Sequence, residues 1–142
     1  MPDITVPMDL FIALAPALGD INTLKPPALP KGRYVLQKAL DQCETPFTAF
    51  QKWEQAFIKR VAVCDAESGE PILKPLGNGF HFDYNPDVKA EAEAERAEKF
   101  ATPVVLAGLR MITHAELGNC PITGAQERLL IKVGLLEDSE PT

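Results

Sequence analysis

The chain has 142 residues, 46% of them hydrophobic, with 14 Lys and Arg against 20 Asp and Glu for a net charge of −6. That length suits one domain, the apolar content excludes a chain disordered throughout, and the negative charge disfavours ordinary binding to a phosphate backbone. Three widely spaced cysteines, Cys43, Cys64 and Cys120, make no disulfide framework and fit a reducing compartment.

In chain order, residues 1–7 carry two prolines and no helical period, which predicts an extended arm. Met8, Phe11, Ile12, Leu14, Ala15 and Leu18 recur at helical spacing before Gly19, with Pro16 expected to bend or shorten the helix. No basic stretch precedes this apolar run and no apolar run reaches ~20 residues, so neither a signal peptide nor a membrane span is expected. The Pro-rich stretch 25–30 reads as a stiff connector lying on the core. A second helix is expected over 31–43, with the stripe Val35, Leu36, Ala39, Leu40 and Cys43, and a third over 46–63. Pro46 separates them, or else kinks one helix running 31–63. Phe47, Phe50, Trp53, Phe57 and Val61 form the densest aromatic stripe and are expected at the heart of the core.

Past Asp65 the period changes. Residues 71–76 suggest an edge strand, Gly77-Asn78-Gly79 a tight turn, and Phe80, Phe82 and Tyr84 the buried side of a returning strand, with His81 and Asp83 outward. Asn85-Pro86-Asp87 opens an Ala- and Glu-rich helix to Phe100. Residues 103–107 read as a buried strand, extending past Gly108 through Leu109 and Met111. Thr113-His114-Ala115-Glu116 and Thr123-Gly124-Ala125-Gln126 each have capping-box spacing and open short helices, ended by Gly118 and Gly134. Residues 137–142 make a short acidic tail. The expected fold class is α+β: one domain over 1–142, with four to five helices packed on a small antiparallel sheet containing a β-hairpin.

Catalytic signatures are sparse. The only serines are Ser68 and Ser139, neither in a nucleophile-elbow setting. Cys43, Cys64, Cys120, His81 and His114 never fall within a short metal-binding spacing, so no metal or cofactor is expected. A pairing of Cys64 or Cys120 with a histidine has no supporting local signature. His81 and Asp83 can form a pair, though a solvent-facing strand side explains them more simply. The charged series Glu91, Glu93, Glu95 and Glu98 reads as a solvated helix face and, in its sharper reading, as the protein-docking surface.

The order of segments resembles a family of small uncharacterised proteins of tailed bacteriophages. The resemblance is carried by Leu29-Pro30-Lys31, by the helix containing Tyr34-Val35-Leu36-Gln37-Lys38-Ala39-Leu40, by the long helix through Phe50 and Lys59, by Val104-Val105-Leu106, and by Ile122-Thr123. It implies a phage origin and the α+β layout, and no catalytic residues. The functional expectation is a non-enzymatic protein in the cytoplasm of a bacterial host that binds a host protein, with inhibition of a defence system as a candidate role. The alternative is a virion or assembly component, such as a minor tail or head-completion protein, in which neighbouring subunits order the arm and the Pro-rich connector. Neither nucleic acid nor membrane is expected as a partner, and homo-oligomerisation is left open.

Overall fold

The structure is a computed structural model that describes residues 3–77 and 79–138. The chain is an α+β protein. In the described residues, nine elements follow one another: β1 (Ile4–Pro7), α1 (Met8–Ile21), α2 (Pro30–Val61), β2 (Lys74–Leu76), β3 (Gly79–His81), α3 (Lys89–Ala101), β4 (Pro103–Leu106), α4 (His114–Leu117) and α5 (Gly124–Val133). They form two compact units, Met1–Phe47 with Ala101–Thr142, and Thr48–Phe100; the boundary falls within α2.

In the first unit β1 and β4 pair antiparallel, with Ile4 opposite Leu106 and Val6 opposite Val104. The N-terminal segment is therefore extended as expected, but from Ile4 onward it is a paired strand; Met1 and Pro2 lie outside the described residues. β4 is shorter and more exposed than its apolar sequence suggested. Val104 and Leu106 are buried while Val105 is 57% exposed, because only one face of this two-stranded sheet meets the core. Gly108, with φ +65°, turns the chain, so Leu109 and Met111 do not continue the strand. α1 packs against α5, β1 and β4. Its Phe11, Leu14, Leu18 and Ile21 are buried, as are Leu36 of α2, Leu109, Ile112, Leu130, Leu135 and Leu136. Both capping boxes form: the Thr113 and Thr123 hydroxyls accept from the Glu116 and Gln126 N–H groups, and those side chains bond back to the cap N–H groups. Of the C-terminal tail, Glu137 and Asp138 fall among the described residues.

The start of α2 approaches α4 so closely that a Cβ on Gly32 would lie 2.6 Å from the Glu116 carbonyl oxygen. The Pro-rich connector docks at the same place, with the Leu29 N–H donating to that carbonyl at 3.0 Å. Glycine is thus required at 32 by space rather than by a positive φ.

α2 passes through Pro46 without ending. Proline has no N–H to give the Gln42 carbonyl, a loss worth ~3 kcal/mol in a helix interior. Burial of Phe50 and Phe57 further along offsets it, at ~1.5–3 kcal/mol for each such side chain. The helix stops at Val61, before the expected Val63, whose N–H instead donates to the Asp83 carbonyl at 2.9 Å.

The aromatic stripe is divided between the units. Phe47 belongs to the first, its ring 6.3 Å from that of Phe11. In the second, Phe57, Val61 and Ala92 are buried, with Trp53, Phe82, Tyr84 and Val88 packed against them. Trp53 and Phe57 stack at 4.7 Å, and Tyr84 meets Phe57 and Phe82 edge-on. Phe80 departs from the expected core: it is 49% exposed. Alternation gives it the same side as Phe82 and Tyr84, but near the hairpin tip it only borders a recess shared with Trp53 and Phe57, and the described residues leave half of it uncovered. The strand expected over 71–76 reduces to Lys74–Leu76, after an isolated bridge between Pro71 and Cys64. α3 begins at Lys89 because 86–88 is taken up by a turn in which the Asn85 side chain accepts from the Asp87 N–H at 3.0 Å.

Candidate protein-binding surfaces

The four glutamates singled out in the sequence do not share one face of α3. Positions 91, 95 and 98 follow the i, i+4, i+7 spacing of a single stripe, whereas 93 falls on the other side. Glu95 is engaged: both its oxygens accept from Arg60 Nη2, at 2.8 and 2.7 Å. Glu91 and Glu95 border a recess with Arg60, Val61, Val88 and Ala92. Glu93 borders another with Tyr84, Arg96, Ala97 and Phe100. Arg96 and Lys99 lie over the Phe100 and Trp53 rings, at 4.9 and 5.4 Å from the centroids, and bring positive charge to the same helix. The field of α3 is accordingly mixed in sign.

A groove between α1 and α2, within the first unit, has a different character. Ala15, Pro16, Leu40, Cys43 and Phe47 make its walls, Asp41 and Glu44 line it as well, and its volume is about 510 Å³. Its origin is local. Ala15 and Cys43 are buried yet too short to fill the space between two helices, and the compact ring of Pro16 lines it beside them. Leu40 and Phe47 remain half-buried. Asp41 accepts from Gln37 Nε2 at 2.9 Å, one turn earlier on α2, and both acids are exposed. Burial pushes the Cys43 thiol up to about 11, which keeps it a neutral, unreactive wall of the groove. The sequence signal for this site was present in the stripe that includes Ala39, Leu40, Cys43 and Phe47, but a stripe alone cannot show where facing side chains are too small to meet.

The remaining candidate chemistry is held in structural roles. Asp83 accepts from Lys74 Nζ at 3.0 Å, and this bond with the Lys74 charge lowers its pKa from the ordinary value. The His114 ring lies between Glu127, at 3.3 Å, and Glu137, at 3.4 Å, at the start of α4. Arg110 grips Glu116 through its two terminal guanidinium nitrogens, one bond being 2.8 Å, and the Thr113 N–H adds a third donor. Those donors hold the Glu116 carboxyl down at about 2. Burial raises the Cys120 thiol, and Cys64 is exposed with its Sγ 3.5 Å from the Ala62 carbonyl. Among the described residues no group of three or more His, Cys, Asp and Glu is arranged to hold a metal ion, and no helix is long and apolar enough to cross a membrane.

The fold and the groove define an α+β protein with an acid-rimmed apolar concavity. No family model matches the chain, and neither a curated protein nor a solved structure matches it.

Proposed function

We propose that this chain is a non-enzymatic binding protein, encoded by a tailed bacteriophage, that acts in the cytoplasm of the host by occupying a host protein. A component of host defence is the target class to test first. The observation that carries the reading is the α1–α2 groove. Its apolar walls offer unfilled burial area, and Asp41 and Glu44 favour a partner that brings a basic residue beside an apolar one. The fitting occupant is therefore an amphipathic segment of a protein, apolar on one side and flanked by Lys or Arg. The net charge of −6 steers the same class of partner at longer range. The phage origin rests on the resemblance in segment order. The arm that suggested an assembly role is used within the chain, where Ile4–Pro7 pairs with β4.

The test is affinity capture from bacterial lysate with three folded proteins, checked by circular dichroism. They are the wild type, the groove variant Asp41→Lys/Glu44→Lys, and the α3 variant Glu91→Lys/Glu98→Lys. The expected result is a stoichiometric partner held by the wild type and the α3 variant and lost by the groove variant. Equal capture by all three removes the groove, and no stoichiometric partner at all overturns the binding reading.

A further inference from the structure

The hairpin of the second unit has two unlike edges. Pro75 lies opposite Phe80, between the pairs Lys74–His81 and Leu76–Gly79. The Asp83 carbonyl accepts from the Val63 N–H and the Asn85 N–H donates to the Val61 carbonyl. Alternation back along the strand therefore turns 81 and 79 inward toward β2 and makes Pro75–Phe80 a non-bonded pair whose backbone groups turn outward. On the β2 edge that outward position is a proline, which has no N–H to offer. This is the usual way an edge is blunted. On the β3 edge the outward position is Phe80, with both N–H and C=O intact.

The phase continues along the chain. Asp83 accepts from the Val63 N–H at 2.9 Å, and the Asn85 N–H donates to the Val61 carbonyl at 2.8 Å, so 83 and 85 turn inward. Tyr84, flanked by those two bonds in its bridge with Ala62, turns outward, as Phe82 does by alternation. Phe80, Phe82 and Tyr84 thus present successive backbone groups on one side, and no strand pairs there among the described residues.

This edge reads nearly the same in both directions: aromatic, His81, aromatic, Asp83, aromatic. We propose that its partner is a second copy of this chain, paired antiparallel about a two-fold axis through Phe82. Phe82 then bonds to its own counterpart, and Phe80 lies opposite Tyr84 of the other copy. His81 faces Asp83 of the other copy twice, by symmetry, on the solvent side. A two-fold contact must be self-complementary in this sense, with residue i meeting j and j meeting i. A one-residue slip would put outward backbone groups against inward ones. A two-residue slip would place His81 opposite His81, with no charge complement. The proline on β2 prevents the other edge from competing, so association stops at two copies rather than growing. The exposed Phe80 gains an aromatic cross-strand neighbour in the process.

The pairing is independent of any host partner, because it is measured on the pure protein. Sedimentation equilibrium over a wide concentration range should show a monomer–dimer equilibrium. His81→Asp sets like charges opposite each other twice and should weaken the dimer about tenfold. Adding Asp83→Lys to that variant restores opposite charges in trans while giving up the Lys74–Asp83 bond within each copy, and should recover part of the lost dimer. Hydrogen exchange read residue by residue should protect the Phe80, Phe82 and Tyr84 amides at high concentration and leave them unprotected when dilute. A monomer at every concentration overturns the proposal. So does a dimer that ignores His81→Asp or leaves those amides unprotected, and so does protection gained only on adding an extended peptide from another protein.

Discussion

Gly32 shows how one missing atom decides a junction. A methyl at this position would lie 2.6 Å from the Glu116 carbonyl oxygen, which is backbone and cannot swing aside. Gly32→Ala gains up to ~1 kcal/mol of helix propensity, but the forced shift should outweigh it, for a net loss of ~1–3 kcal/mol. Urea denaturation checks the sign, and an alanine variant as stable as the wild type would contradict the close approach. Sequence alone could not expose this constraint. A glycine two residues after Pro30 reads as ordinary first-turn composition, and the carbonyl it makes room for lies 84 positions away by residue number. The capping boxes at Thr113 and Thr123 were legible, because their geometry is closed within four residues and needs no distant partner.

Among the elements, helices were easier to place than strands. α5 follows from its capping box, α3 from its Ala- and Glu-rich propensity and α1 from its apolar spacing, all of which are local. Yet α1 runs through Pro16 and Gly19 to Ile21, and α3 begins at Lys89 rather than at the expected Asn85 cap. α2 was legible as apolar stripes on either side of Pro46, but whether proline ends a helix depends on what burial elsewhere offsets. The pairing of β2 with β3 was legible, although Asn78 of the expected turn lies outside the described residues. The exposure of Phe80 was not, since period-2 alternation assigns a side without saying how far the core extends beneath it. The aromatic stripe therefore predicts unequal costs. Phe57→Ala should lose ~3–5 kcal/mol, as a buried ring stacked on Trp53 and edged by Tyr84. Phe80→Ala, measured dilute, should lose less than ~1 kcal/mol. Paired thermal or urea unfolding decides it, and equal losses would place both rings in one core.

For the whole molecule, composition indicated an acidic protein with enough apolar content to fold, and the segment pattern indicated α+β; both follow from sums over many residues. The candidate site lay deeper. The glutamates of α3 stood out because they are dense in sequence, but folding divides them by face and ties Glu95 to Arg60. The α1–α2 groove arises from what is absent, the side-chain volume that Ala15, Pro16 and Cys43 do not supply, and such a gap is visible only when two helices are set side by side. The most direct test of groove docking is hydrogen–deuterium exchange on the chain bound to its captured partner. Docking in the groove should bring new protection to the peptides that carry Ala15, Pro16 and residues 40–47, with α3 unchanged. Protection confined to α3 would contradict it and return the glutamates to the centre of the interface.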